Sequence, residues 1–164
     1  MGQTAATPEP VGEMTLGVYT YGSGLEVQVR WRGRCVGHAT CTCAGPRWKL
    51  CDLKVEEGIQ LSWPLPFRVL AWLGLSRRQR KLRGQGIGTR LLERVLAEAD
   101  AAGVDELWGA VVPVDLERWP GLLAWYERHG FTVSEPDGEC LEHAVKKITR
   151  RRSGGPATGL GPHA

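Results

Sequence analysis

The spacing of the apolar residues changes partway along the chain, and this change limits the folds that its 164 residues can adopt. Between residues 14 and 56, apolar and polar residues form strand-like runs that are separated by glycine-containing turns. After Gly88 the apolar residues recur at every third or fourth position instead, which is the spacing of an amphipathic helix. The order of elements, ββββ–α–β–α–ββ, predicts an α+β fold with a mixed, mostly antiparallel sheet of about seven strands and two main helices.

Short connections separate the predicted elements, and they favour antiparallel pairing of neighbouring strands. The first four strands are predicted at residues 14–21, 25–32, 35–43 and 48–56. A helix follows, and Gly103 suits its C-terminal stop. The later elements are this helix at 89–102, a strand at 106–112, a helix at 120–129, and a hairpin of 131–135 with 140–148.

One domain accounts for most of the chain, because 164 residues suit a single core. We assign this domain to residues 13–149. Residues 1–12, rich in Pro, Gly, Ala and Thr, are predicted to be a flexible tail, and residues 150–164 a flexible basic tail.

An insertion at residues 58–82 shows neither the alternation of a strand nor the apolar spacing of an amphipathic helix. Its first part is apolar and contains two prolines, and its second part is strongly basic. The insertion is compatible with a short helix after Pro66 or with an extra strand at 67–75. The strand that precedes the following glycine loop is therefore either 48–56 or 67–75.

Charge and hydrophobicity narrow the classes of function. The formal net charge of +3 is mild and does not by itself argue for nucleic-acid binding. No apolar run is long and continuous enough to span a bilayer. Residues 1–14 lack the basic and apolar regions of a secretory signal, so we expect a cytoplasmic protein.

The five cysteines do not form a disulfide or metal-binding pattern. Their number is odd and no Cys-x-x-Cys pair is present, which argues for reduced thiols. His38, Cys41, Cys43 and Cys51 could be drawn around a zinc ion, but structural zinc sites show tighter paired spacings. We expect no metal and interpret these cysteines as small buried hydrophobic residues.

A glycine-rich loop at residues 83–89 (RGQGIGT) opens the first predicted helix. Glycines let backbone N–H groups approach an anion, and a helix N-terminus adds partial positive charge, so the loop is suited to phosphate. It lacks the Gly-Lys-Ser/Thr ending of a P-loop, and Gly88 comes one residue too early for a dinucleotide fingerprint. The alternative is a glycine-rich turn that only caps the helix.

A second motif follows further along the chain, where residues 126–131 read YERHGF. Together the two motifs resemble those of the GNAT acyltransferase superfamily, which pairs an Arg/Gln-x-x-Gly-x-Gly/Ala loop with a later Tyr-x-x-x-Gly-Phe. The matching residues are Arg83, Gly86 and Gly88 in the loop, and Tyr126, Gly130 and Phe131 in the second motif. The resemblance covers residues 48–57 and 83–148 well and 14–43 moderately.

The resemblance implies acetyl-CoA as the acyl donor, with its pyrophosphate on the loop. The residues implicated in this binding are Arg83, Gln85, Gly86, Ile87, Gly88 and Thr89. The pantetheine arm would lie like an added strand between residues 53–56 and 106–112. A backbone N–H near Val55 would polarise the thioester carbonyl.

The same resemblance implies an N-acetyltransferase in which an amine attacks acetyl-CoA directly in a ternary complex. Tyr126 would protonate the departing thiolate, or else it is a core aromatic at a helix end. Glu56, Glu57 and Asp115 are the candidate general bases, and Glu56 is our choice. Each is equally explicable as a surface carboxylate or, for Asp115, as a helix cap.

The implied acceptor is an amine-bearing small molecule, a protein N-terminus or a lysine, and a homodimer would suit such a fold. The chain departs from the family because Tyr21 and Leu25 are three residues apart, which leaves out the first two family helices. We expect the insertion at 58–82 to shape the acceptor site instead. Trp119 stands where the family often has an Asn that contacts pantetheine.

Two other functions stay open at this point. One is a non-catalytic CoA-binding regulatory module of the same fold. The other is a nucleic-acid-binding protein that uses the Arg-rich part of the insertion, whose affinity would fall steeply with salt.

Overall fold

The structure is a computed structural model, and it describes residues 4–5, 9–11, 14–56, 58–59, 80–81, 84–138 and 143–152. The chain divides into two compact units. The first unit comprises residues 1–41 and 52–96, and the second comprises residues 42–51 and 97–164. Strands β5 and β6 and helix α1, whose bounds are given below, contribute residues to both units.

The first unit is built mainly from antiparallel strands. Its hydrogen-bonded order is β1–β3–β4–β5–β6, with β2 also paired to β3 and with β7 paired to β8. The bounds are β1 Thr4–Ala5, β2 Glu9–Val11, β3 Met14–Tyr21, β4 Gly24–Trp31, β5 Arg34–Ala44, β6 Arg47–Val55, β7 Gly58–Ile59, β8 Arg80–Lys81 and α1 Ile87–Ala101.

The alternating sequence of β4 explains the core of this unit. Every second residue of β4 is almost completely buried, as expected when one face of a strand packs on a core. Helix α1 covers the core with one apolar stripe, spaced at three and four residues. The buried residues are Leu25, Val27, Val29 and Trp31 on β4, and Ile87, Leu91, Leu92 and Val95 on α1.

The second unit contains the last three residues of β5, the first five of β6, the last five of α1 and all later elements. Strand β9 pairs in parallel with β6 and antiparallel with β11, which in turn pairs with β10. The parallel pairing covers four residue pairs, from Arg47↔Glu106 to Leu50↔Gly109. The bounds are β9 Glu106–Val111, α2 Pro113–Arg118, α3 Leu122–Arg128, β10 Thr132–Ser134 and β11 Lys146–Arg151.

The predicted fold class is confirmed: the chain is α+β, and its sheet is mixed and mostly antiparallel. The seven predicted strands correspond to β3–β6 and β9–β11. The absence of helices between the first two predicted strands is also confirmed, because only Gly22 and Ser23 separate β3 from β4. Gly103 follows α1 in the left-handed conformation, with φ of 72°.

Three local expectations differ from the structure. Parts of the expected N-terminal tail form β1 and β2, because β3 offers unpaired backbone groups to which short segments can add. The last strand, predicted at 140–148, begins at Lys146 within the described residues 143–152 and continues through Arg150 and Arg151, the first residues of the expected basic tail; residues 140–142 lie outside the described residues. Helix α2 was missed because it is six residues long and none of its residues is buried, so it shows no apolar stripe.

The possible helix or strand within the insertion, including 67–75, lies outside the described residues. The choice between 48–56 and 67–75 as the strand before the glycine loop therefore stays open. Residues 47–55 do form a strand, β6. None of the helices in the described part of the chain combines the length and apolar character that crossing a membrane would require.

Gly37 is a point of close packing between β5, β6 and α1. A Cβ atom at this position would lie 3.1 Å from the side chains of Ile87 and Leu91 and 3.1 Å from the Lys54 carbonyl oxygen. Two of these neighbours are buried core residues and the third is backbone, so they cannot move aside easily. The absence of a side chain at Gly37 is therefore what lets α1 pack against β5 here.

We predict that Gly37→Ala lowers the free energy of unfolding by about 1–3 kcal/mol, the usual cost of an overpacked core. Urea denaturation measures this change. Gly138→Ala is the matched control, because a Cβ there meets no atom within 4 Å. Equal urea midpoints for the two variants would contradict the packing described at Gly37.

Candidate active site

The glycine loop adopts a conformation that depends on its glycines. Gly84 and Gly86 have positive φ angles of 84° and 73°, a region that residues with side chains rarely enter. Helix α1 begins directly after them at Ile87, and the Gly86 carbonyl accepts the Arg90 N–H at 3.0 Å. Ile87 is buried, while Gly84, Gln85 and Gly86 are exposed.

Helix α1 therefore begins directly after an exposed loop of the first unit. The N–H groups of the first turn of a helix have no partner within the helix, and they carry partial positive charge. The first two such residues are Ile87 and Gly88, both predicted to bind the cofactor, and Thr89 follows them in the same turn. Arg83 lies outside the described residues.

The end of β6 is oriented by its pairing with β5. The Glu56 N–H donates to the Val36 carbonyl at 3.0 Å, so this N–H points toward β5. Successive N–H groups of a strand point to opposite edges, which turns the Val55 N–H toward the other edge of β6. This is the direction that the predicted role of Val55 in polarising a carbonyl requires.

The second motif forms a tight turn at the end of α3 in the second unit. Gly130 has a φ of 83° and ends the helix, and the Phe131 N–H then donates to the Tyr126 carbonyl at 3.2 Å. The rings of Tyr126 and Phe131 lie 5.4 Å apart in an edge-on arrangement, and both residues are buried. The motif thus has a structural role, whatever its chemical role.

Tyr126 is one of five residues whose rings are in continuous contact, with Trp119, Trp125, His129 and Phe131. Trp125 lies 4.8 Å from Tyr126 and 5.4 Å from Trp119, which is 39% exposed. The His129 Nδ1–H donates to the Trp125 carbonyl at 2.7 Å, as suits a group at a helix C-terminus. The ring contacts lead from the exposed indole of Trp119 through Trp125 to the buried phenol of Tyr126.

The three carboxylates considered as bases have different surroundings. Glu56 is exposed at the end of β6. Asp115 accepts the Val112 N–H through Oδ2 at 3.5 Å in a capping arrangement at the start of α2, which favours its interpretation as a helix cap. Glu57 lies outside the described residues.

A pair between His38 and Asp52 was not predicted from the sequence. His38 lies on β5 and Asp52 on β6, and their Nε2 and Oδ2 atoms are 3.2 Å apart. Such an exposed pair contributes about 0–1 kcal/mol to stability. Equal counting outward from the predicted turn at 44–47 places His38 opposite Leu53 rather than Asp52, so no signal for this pair was available in the sequence.

The interpretation of the cysteines is wrong in part. Cys41 is buried, but Cys35 and Cys51 are exposed and Cys43 is half-buried. All four are free thiols. Within the residues that the structure describes, no three His, Cys, Asp or Glu side chains are grouped so as to hold a metal ion.

The family of the chain follows from the sequence match. Residues 8–131, more than half of the chain, match the acetyltransferase (GNAT) family. The chain belongs to this family. The recognition made from the two motifs is therefore confirmed. A search of curated proteins found no matching relative.

Solved structures share the fold at low sequence identity. A GNAT acetyltransferase from Elizabethkingia anophelis with acetyl-CoA bound has a TM-score of 0.55 at 13% identity, over 85% of this chain and 99% of that one. The ribosomal-protein-S18-alanine N-acetyltransferase from Escherichia coli has a TM-score of 0.53 at 18% identity, over 87% and 77%.

The PaiA N-acetyltransferase from Thermoplasma acidophilum, in complex with coenzyme A, has a TM-score of 0.53 at 15% identity. That match covers 79% of this chain and 62% of the PaiA chain, less than two thirds of its length. At these identities the likeness concerns the fold.

The Cys43 thiol is less acidic than an ordinary cysteine thiol. Burial, followed by the nearby Cys51, raises the pKa of Cys43, because both disfavour the thiolate. A higher pKa means a smaller fraction of thiolate at a given pH.

We predict that iodoacetamide modifies Cys43 more slowly than the exposed Cys35 and Cys51 at pH 8, and that the difference narrows as the pH rises. Peptide mass spectrometry after short pulses measures the three rates. The same pulses on urea-unfolded protein provide the control, in which the three thiols should react alike. A Cys43 rate equal to that of Cys35 in the folded protein would contradict the assignment.

Proposed function

We propose that this GNAT-family enzyme is an N-acetyltransferase that transfers the acetyl group of acetyl-CoA directly to a primary amine. The observation that carries the proposal is the packing at Gly37. Ile87, the first residue of α1, and the Lys54 carbonyl of β6 both approach Gly37. The loop suited to phosphate and the strand end suited to a thioester are thereby held together in one unit.

The phosphates of the cofactor are assigned to the start of α1. The N–H groups of Ile87 and Gly88 supply donors and partial positive charge where the negative charge is greatest, and Thr89 lies in the same turn. Gln85 and Gly86 complete the predicted loop, and Arg83 supplies a full positive charge. The relatives from T. acidophilum and E. anophelis hold coenzyme A and acetyl-CoA respectively, which supports this choice of ligand.

The pantetheine arm is assigned to the edge of β6 that faces away from β5. An extended chain with amide groups can add to a strand edge through main-chain hydrogen bonds. Parallel pairing with β9 ends at Leu50, while β6 itself continues to Val55. The Val55 N–H then stabilises the negative charge that develops on the thioester oxygen when the amine attacks.

The proposed mechanism needs a base that takes a proton from the amine and an acid that gives a proton to the departing thiolate. Tyr126 gives its phenolic proton to the departing thiolate, and Glu56 is the base predicted from sequence. The raised pKa of Cys43 and the burial of Cys41 make these two thiols poor acyl carriers. The acceptor class is a small amine, a protein N-terminus or a lysine. The E. coli relative acts on a protein alanine.

We predict that the protein releases free thiol from acetyl-CoA in the presence of amines, and that Tyr126→Phe slows this release about 100-fold or more, the usual contribution of a general acid. A thiol reagent follows the reaction with benzylamine, spermidine, aniline and a peptide with an N-terminal alanine. Tyr21→Phe is the matched control, because Tyr21 is an exposed tyrosine of the first unit. Acetyl-CoA binding without turnover of any amine would favour a regulatory module instead.

We predict that Gly86→Ala weakens acetyl-CoA binding about tenfold, because an alanine at a φ of 73° is strained and shifts the loop. Isothermal titration calorimetry measures the Kd. Gly45→Ala carries the same kind of strain, at a φ of 54° in the hairpin turn between β5 and β6. If both variants lost stability alike and both kept wild-type affinity, the loop would not be the phosphate site.

A further inference from the structure

The pair formed by His38 and Asp52 combines a base with a group that orients it. The Asp52 carboxylate can only accept, so it favours the tautomer in which the His38 Nε2 carries the proton. The other ring nitrogen, Nδ1, then has a lone pair available to take up a proton. A carboxylate that fixes the tautomer of an imidazole in this way is a recurring device of general-base catalysis.

His38 lies beside the part of β6 that the proposed function uses. Glu56 pairs with Val36, and the Lys54 carbonyl approaches Gly37, which is the residue before His38. His38 is therefore close to Lys54, whose next residue is Val55. The imidazole belongs to the same stretch of the two strands as the N–H assigned to the thioester oxygen.

The imidazole also lies on the appropriate face of the strand. Gly37 faces Ile87 and Leu91 of α1. Successive residues of a strand point to opposite faces, so His38 projects away from α1. The helix that would hold the phosphates and the imidazole that would meet an acceptor are thus on opposite faces of β5.

The exposure of the two side chains fits contact with an incoming substrate. The His38 side chain is 30% exposed and the Asp52 side chain is 55% exposed. A pair at this level of exposure holds the ring in place and leaves it accessible from solvent.

From this geometry we infer that His38 is the general base of the acetyl transfer and that Asp52 positions its ring, in place of the Glu56 predicted from sequence. The inference rests on the proposed function, because it assigns the base for that reaction. His38 would be a catalytic residue, and Asp52 a positioning residue that acts through it.

The proton balance of the step is complete. The acceptor arrives as an ammonium ion and gives one proton to the His38 Nδ1. The freed nitrogen lone pair forms a bond to the thioester carbon, and the carbon–sulfur bond breaks with its electron pair on sulfur. As the amide forms, the nitrogen loses a second proton to water and the thiolate takes the phenolic proton of Tyr126. Tyr126 then regains a proton from water, and His38 releases its proton to water.

The test compares acceptors that differ in their need for a base. Alkylamines such as benzylamine are ammonium ions at neutral pH, whereas aniline is already neutral and needs no proton removed before attack. For His38→Ala we expect kcat at pH 7 to fall about 100-fold or more with benzylamine and to change less than about threefold with aniline. Added imidazole should restore part of the benzylamine rate. Asp52→Asn should give the same split between amines with a smaller loss.

Two controls separate base catalysis by His38 from the loss of a surface ion pair and from weaker cofactor binding. Glu135→Gln removes another exposed ion pair, with Lys146, and should leave both rates unchanged. The Kd for acetyl-CoA, measured by calorimetry, should be the same in His38→Ala as in the wild type.

Three results would overturn the inference while leaving the proposed function intact: a wild-type benzylamine rate in His38→Ala, an equal loss with both amines, or a selective benzylamine loss in Glu56→Gln instead. Failure of the wild-type protein to release thiol with any amine would overturn the proposed function itself. The two failures are therefore distinguishable in one set of assays.

Discussion

The close approach of α1 to β5 at Gly37 determines where the candidate groups of the first unit lie. Because this residue has no side chain, Ile87 and Leu91 reach the strand, and the glycine loop is carried with them. The same residue adjoins the Lys54 carbonyl, so its position also fixes the end of β6. The absence of a side chain at Gly37 thus lets the start of α1 and the end of β6 lie close together. The His38 imidazole projects from the other face of β5.

In the second unit, charged side chains join neighbouring strands and contact an aromatic ring. The Glu106 carboxylate accepts from Arg47 at 2.8 Å and from Arg151 at 3.3 Å, which joins the first residue of β6 to the last residue of β11. Lys147, which is 7% exposed, pairs with Asp137 and lies over the ring of Trp108. A buried ammonium is tolerated here because it has both a carboxylate and an aromatic face.

Regular patterns predicted most of the fold, and local exceptions account for the errors. Alternation along residues 14–55 and helical spacing after Gly88 each report burial on one face, so β3–β6 and α1 were predicted with bounds close to those observed. Helix α2 buries nothing and leaves no such trace. The pairing of His38 with Asp52 depends on hairpin register, which neither spacing nor composition reports. The two motifs could be recognised from the sequence because their loop conformations require glycine at positive φ, at Gly84, Gly86 and Gly130.

Gly37 and His38 are adjacent on β5 but point to opposite faces of the strand. This arrangement suits a short chain that binds two substrates. The family usually has two helices between its first two strands, but here only Gly22 and Ser23 join β3 to β4. In the first unit, one face of β5 is closed by α1 at Gly37, which fits a cofactor held by a helix N-terminus. The next residue, His38, faces the other way and remains partly exposed. Alternation of side chains along a single strand therefore separates the surface proposed for the donor from that proposed for the acceptor, while the two residues stay one peptide bond apart.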